Sequence, residues 1–353
     1  MNMDFEKINY LLNENIFGLS KLEVEPFINE VSLDLSLIIP VYNGGEMLIS
    51  CLNSVFSQKT SFSYEVIAVN DGSIDNSLDV LKKFQVKYGN LIIVNQENGG
   101  ISKARNKGIV CARGKYIGLV DNDDTINENY VEKLLNKAIK EELDVVKCAY
   151  QKFNPISKTF YETVSEQTCT KIGYLGEYVI KLPGYVWSGI YKRDLFNKVR
   201  FPQGFWFEDI IGRSILLREA QSFSYMEEAL YYYSTHDNNA SKTVWKSSDV
   251  KFIDQVVLSK VILDINDKLG LPRDNALFRC LAWELGPMLL TRGNKSTNNI
   301  RKIVFIEAAN FFSDVFYNLK PRNLKELFLK FSFKRKNYMM WKLSSAIYYK
   351  LGK

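Results

Sequence analysis

Lys115-Tyr116-Ile117-Gly118-Leu119-Val120-Asp121-Asn122-Asp123-Asp124 is an apolar run that ends abruptly in three carboxylates. A short apolar segment bounded by polar residues predicts a buried strand, and a strand that delivers carboxylates at its carboxyl end is suited to a divalent cation. Hard ions such as Mg²⁺ or Mn²⁺ take oxygen ligands. They bind through one or two protein carboxylates and leave other positions to water and phosphate oxygens. The same aspartates equally suit an Asx turn that caps the helix expected near Asn127. An EF-hand loop is excluded, because its sixth position would be Ile126 where the sharp turn requires Gly.

On either side of this junction, short Val- and Ile-rich runs alternate with longer amphipathic stretches. Strands are expected at 36–39, 64–70, 91–94, 116–120 and 144–148, and helices at 46–56, 75–88, 101–112 and 127–142. Such alternation predicts an α/β fold: a mostly parallel sheet flanked by helices, with ligands at the carboxyl ends of the strands. Leu11, Leu12, Ile16 and Leu19 have helical spacing, so 1–34 reads as a helical N-terminal extension. The main domain is expected over 35–246. A helical C-terminal region with a basic aromatic tail is expected over 247–353.

With 353 residues, 46% of them hydrophobic, the chain can bury a large core. Cys51, Cys111, Cys148, Cys169 and Cys280 show no CxxC spacing, which points away from a zinc site or a disulfide framework and toward a reducing compartment. Neither a secretory core nor an apolar run near 18 residues is present, so a cytoplasmic location is expected. His236 is the only histidine, which rules out multi-histidine metal sites.

The net charge of +6 is unevenly distributed. Residues 320–353 hold ten Lys or Arg against one acid, Glu326, leaving 36 basic and 39 acidic residues elsewhere. Seven aromatic residues are interleaved there, and Met340, Leu343, Ile347 and Leu351 recur at helical spacing. This pattern describes a helix lying on an anionic membrane surface, peripheral to the inner face of the cell membrane. A helix packed on its own domain is the alternative, and removing the tail beyond Lys334 is then the discriminating change. No nucleic acid is expected as a partner, and the oligomeric state is not indicated.

Two further stretches lie where strands should end, and a third lies at an expected helix start. Asn70-Asp71-Gly72-Ser73 is a turn, from which Asp71 can accept the imide N–H of a uracil while Tyr42 packs on the base. Asn98-Gly99-Gly100-Ile101-Ser102-Lys103-Ala104-Arg105-Asn106 has the look of a phosphate-gripping glycine loop, although neither GxGxxG nor a Walker A loop is present. Arg105 is suited to a diphosphate or, alternatively, to the aspartate cluster. Glu208-Asp209 follows Phe205-Trp206-Phe207; it serves as a helix N-cap or, with its pKa raised by apolar neighbours, as a general base.

In this order the pieces resemble the family 2 glycosyltransferases of the GT-A fold, bacterial enzymes that build surface polysaccharides and wall polymers. The resemblance rests on Leu37-Ile38-Ile39-Pro40-Val41-Tyr42-Asn43, Val69-Asn70-Asp71-Gly72-Ser73, the Asn98 to Asn106 stretch and the opening run. It implies that Pro40, Tyr42, Asn43 and Asp71 hold the nucleotide base, and that Gly99, Arg105, Asn106 and Asn122 line the nucleotide-sugar pocket. Asp121 and Asp123 would form the DxD motif, with Asp123 as direct metal ligand and His236, in the closing segment 232–241, near the diphosphate or metal. Asp209 would be the catalytic base and Glu208 the alternative.

The implied reaction is inverting transfer from an NDP-sugar, with a UDP-linked donor expected, to a hydroxyl of a glycan, wall-polymer or lipid-linked acceptor, assisted by Mn²⁺ or Mg²⁺. Trp187 and Trp206 offer aromatic faces for the acceptor, or core packing. A sugar nucleotidyltransferase would want a glycine-rich loop where Pro40-Val41-Tyr42-Asn43 stands. A non-catalytic NDP-sugar-binding scaffold would not need Asp209.

Overall fold

The computed structural model describes residues 24–237, 239, 250–317 and 320–351. Most of the expected N-terminal helical extension, together with Asn238, Ala240 and Ser241 of the closing segment, lies outside the described residues. Residues 24–32 contain no helix or strand.

The first half alternates as its hydrophobic pattern requires: β1 (Leu33–Val41), α1 (Gly45–Phe56), β2 (Tyr64–Asp71), α2 (Ser77–Lys87), β3 (Leu91–Gln96), α3 (Ile101–Cys111) and β4 (Gly114–Leu119). The short β5 (Thr125–Ile126), α4 (Tyr130–Lys140) and β6 (Val145–Asn154) follow. β1 and β2 are buried almost throughout because helices cover both faces of the sheet. Glycines allow the closest contacts: a Cβ at Gly114 would meet the Leu35 and Ser36 backbone at 2.3–2.4 Å.

The later strands are β7 (Thr159–Val164), β8 (Cys169–Ile172), β9 (Gly189–Lys192) and β10 (Ser222–Ser234). Among the described residues the sheet order is β3-β2-β1-β4-β9-β6-β10-β5, with β7 on β6 and β8 on β10. The expectation of a mostly parallel sheet needs correction. β3, β2, β1 and β4 are parallel, as are β6 and β10. β9, however, enters between β4 and β6 and runs antiparallel to both, and β5, β7 and β8 also pair antiparallel. The inserted strand comes from 175–192, a segment whose periodicity gave no strand signal.

Beyond β10 the described chain is helical: α5 (Asp254–Lys268), α6 (Asn275–Trp283), α7 (Asn298–Val315), α8 (Leu324–Lys334) and α9 (Tyr338–Leu351). One apolar cluster runs from Ile38 and Ile117 in the sheet through Leu281 and Phe305 to Phe333 and Trp341. The helices therefore share a core with the sheet.

The tail is amphipathic on two sides. Its inner stripe is a packed helix pair: Trp341 is 1% exposed and its Nε1–H donates to the Leu285 carbonyl at 3.1 Å, with Leu329, Phe333 and Tyr348 also buried. The outer stripe leaves Leu324, Leu327, Phe328 and Phe331 of α8, and Met339, Leu343 and Ile347 of α9, facing solvent. A cut after Lys334 would remove Trp341 from the core, so it cannot serve as a clean test of the tail. No helix among the described residues is long and apolar enough to cross a membrane.

Candidate active site

The aspartate cluster sits where β4 ends, beside the ends of β1 and β10. Its three carboxylates are in different environments. Asp124 is 1% exposed; its Oδ2 accepts from the Tyr231 hydroxyl at 2.7 Å and its Oδ1 from the Ser234 backbone N–H at 2.7 Å. Burial, followed by the charges of Asp123 and Asp121, pushes its pKa well up. Asp124 thus clasps β10 to the loop instead of capping the next helix, whose N-cap is Asn129.

Asp121 is held by Arg105, whose Nη2 reaches Asp121 Oδ1 at 2.8 Å while Nη1 reaches Glu208 Oε1 at 2.6 Å. The guanidinium is 2% exposed, and against the cost of burial the Asp121 and Glu208 charges hold it firmly protonated. Arg105 therefore joins the aspartate cluster to the Glu208-Asp209 pair.

Asp123 points elsewhere, with Oδ2 2.9 Å from His236 Nε2. Burial and the neighbouring Asp121 charge raise its pKa, partly offset by His236. Two adjacent ligands of an octahedral ion, each about 2.1 Å from the metal, would lie roughly 3.0 Å apart, so the Asp123–His236 spacing fits a small divalent cation. No group of three or more His, Cys, Asp or Glu gathers as a metal cage among the described residues. That is compatible with an ion which relies on substrate phosphates for its remaining ligands.

Several expected nucleotide contacts are engaged within the protein. Asp71 Oδ1 accepts from the Gly99 N–H and Gln96 Nε2 at 2.8 and 2.6 Å, and Oδ2 accepts from the Gly100 N–H at 2.8 Å. The Gly99 and Gly100 amides thus grip a carboxylate of the chain itself, a correction to the phosphate-loop reading. Asn106 is corrected too: its amide donates to the Phe201 carbonyl and accepts from the Phe201 N–H, each at 2.8 Å, so it is a buried clamp. Asn43, at φ 48°, accepts the Ile74 N–H and shapes the loop after β2, in a left-handed conformation that Asn tolerates. Pro40 is buried in β1, beside Val69 of β2. Tyr42 is 50% exposed and presents its ring. Asn122 lies over Gly44, where an added Cβ would come within 2.7 Å of its Nδ2.

Glu208 and Asp209 follow a strained residue, Phe207, at φ 68°, a conformation that costs a bulky side chain of order 1–3 kcal/mol. The Arg292 guanidinium lies 3.7 Å from the centroid of the Phe207 ring. Burial raises the Glu208 pKa, with Arg105 acting in the opposite direction. Asp209 receives no hydrogen bond to its carboxylate from the described residues, and it lines a cavity of about 180 Å³. Neither Trp187 nor Trp206 lines that cavity; Trp187 stacks on Tyr185, 4.0 Å between centroids, and Tyr185 does line it. The Arg105 bridge had been open in the sequence as one of two readings. The Tyr231 clasp and the cavity residues from the helical region had no sequence signal.

The carboxylates after β4, the buried Arg105 and the Glu208-Asp209 pair thus gather beside one edge of an α/β sheet. Residues 36–200 match the model of glycosyl transferase family 2. Over 219 residues it is 33% identical to the uncharacterized glycosyltransferase YibD of Escherichia coli (strain K12), covering 59% of this chain and 63% of that protein. Over 221 residues it is 30% identical to the uncharacterized glycosyltransferase EpsJ of Bacillus subtilis (strain 168), covering 60% and 64%. The matches thus span just under two thirds of these relatives. The crystal structure of S. aureus TarS 1-349 in complex with UDP shares the fold, with a TM-score of 0.68 at 21% identity over 91% of this chain and 92% of that one.

Proposed function

We propose that the chain transfers a sugar from an NDP-sugar, UDP-linked as the nucleotide in the TarS complex suggests, to a hydroxyl of a glycan, wall-polymer or lipid-linked acceptor, with inversion. The transferase occupies 35–246, and 247–353 is its helical companion. One relative is the minor teichoic acid biosynthesis protein GgaB of Bacillus subtilis (strain 168), 27% identical over 264 residues, which favours an envelope-polymer acceptor.

The observation that carries the reading is the division of labour between two adjacent acids. Glu208 is locked to Arg105, whereas the Asp209 carboxylate faces the cavity. In the step, the acceptor oxygen bonds to the anomeric carbon as the bond from that carbon to the diphosphate oxygen breaks. Its electron pair leaves on the nucleotide, and the hydroxyl proton passes to Asp209. Tyr42 supplies a face for the base, and Asp71 holds the Gly99-Gly100 turn beneath it.

Asp123 and His236 would hold Mn²⁺ or Mg²⁺, with Asp121 behind them. The chemistry such an ion supplies is neutralisation of charge on the departing diphosphate. Asp123→Ala is expected to lower transfer at least about 100-fold, since one charged ligand is worth several kcal/mol of transition-state stabilisation, and to remove Mn²⁺-dependent UDP binding in calorimetry. Full activity in excess EDTA contradicts this. The ten basic residues and the outer apolar stripe of the tail support peripheral contact with an anionic membrane.

A further inference from the structure

π-helical turns are rare, well under 1% of residues, and concentrate at functional sites. Two of them line the cavity beside Asp209: Gly212–Leu216, which follows the Glu208-Asp209 pair, and Glu284–Met288 in the helical region, which contains Pro287. The first presents Arg213. The second, with the residues on either side of it, presents Trp283, Glu284 and Arg292. Ten of the twelve lining residues therefore lie outside the matched segment 36–200, and five of them come from the helical region.

The volume, about 180 Å³, is informative. A closed cavity of about 150 Å³ accepts one benzene ring, so this one, which opens to solvent, takes one six-membered ring with its larger substituents at the mouth. Its walls suit such a guest. Trp283 supplies an apolar face for ring C–H groups, Tyr185 and Phe207 being covered by Trp187 with Lys147 and by Arg292, while polar groups converge from Asp209, Glu284 and Arg292. Arg292 is held loosely, 3.5 Å from Glu284 Oε2 and stacked on Phe207. Trp283 is backed by Tyr349 of α9, with centroids 6.0 Å apart and planes 19° apart.

We infer that this cavity is the acceptor subsite and that it takes one pyranose ring, stacked on Trp283 with its hydroxyls met by Glu284 and Arg292 and one of them directed at Asp209. The inference rests on the transfer reading above and specifies its acceptor. Residues 283–292 thereby set acceptor choice, independently of the strand-end motifs that meet the donor.

The test uses the full chain and simple probes: methyl α- and β-glycosides of glucose, galactose and N-acetylglucosamine, followed by saturation-transfer NMR. At least one is expected to bind, and to bind about tenfold more weakly in Trp283→Ala. Arg292→Met, which keeps the packing over Phe207, is expected to weaken it severalfold. UDP affinity should stay within twofold in both. Should Trp283→Ala fail to fold, as read by thermal melting, Arg292→Met decides alone. Binding of no pyranoside, pyranoside binding that the folded variants leave unchanged, or binding of glycerol phosphate in place of pyranosides overturns the inference. Variant-sensitive pyranoside binding by a chain that transfers no sugar from any NDP-sugar supports the subsite and contradicts the proposed reaction.

Discussion

At the residue scale, polar groups with no apparent task in the sequence prove to hold the site together. Lys147 is fully buried in β6; its ammonium donates to the Tyr185 carbonyl and lies 4.3 Å from the Tyr185 ring centroid, with no carboxylate at ion-pair distance among the described residues. Burial pushes its pKa down to about 7. Because an unfolded lysine titrates near 10.4, the unfolded chain binds more protons between about 7 and 10, and this group makes stability rise with pH across that window. Lys147→Met is expected to flatten that rise in urea unfolding measured at pH 7 and pH 9; an unchanged slope contradicts the assignment. Asp121 and Asp123 stood out in the sequence as carboxylates at a predicted strand end, and Glu208-Asp209 as two acids at a helix start in an apolar setting. What Asp71, Asn106 and Asp124 do was not legible, since their partners are the Gly99-Gly100 amides, the Phe201 backbone and Tyr231, all distant in sequence.

At the element scale, the pattern located β1 to β4 and the helices between them to within about three residues, because the strands are short apolar runs bounded by polar residues and the helices are longer amphipathic stretches. It did not reveal β9, whose four residues are too few to show a period and whose antiparallel place is set by β4 and β6. The tail shows a different ambiguity: a helix with two apolar stripes fits both readings of the sequence. Its inner stripe makes Trp341→Ala costly, by about 3–5 kcal/mol for a buried Trp, to be read as a lower urea midpoint. Its outer stripe makes the paired change Phe328→Asp and Leu343→Asp nearly neutral for folding. That pair is expected to abolish sedimentation with anionic vesicles, which in the unaltered chain should also fade at high salt, because each Lys or Arg contributes about 1 kcal/mol at such a surface. Equal binding to neutral vesicles contradicts the electrostatic part.

At the scale of the whole molecule, the sheet and the helical region share one core and meet at the cavity that Asp209 lines. In the proposed reaction the sheet side would meet the donor through Tyr42, the Asp71-bound glycine turn, and Asp123 with His236. The helical side presents Trp283, Glu284 and Arg292. Arg105 and the strained Phe207 connect the two, fixing Glu208 so that its neighbour alone is free to take a proton. The most direct measurement of this arrangement is the transfer rate of Asp209→Asn beside Glu208→Gln and the unaltered chain, with the best donor from an NDP-sugar panel and Mn²⁺. The account predicts that Asp209→Asn slows turnover roughly 10²- to 10⁴-fold, the usual worth of a general base, with UDP affinity unchanged. Near-normal turnover by Asp209→Asn, with the loss found in Glu208→Gln instead, would contradict it.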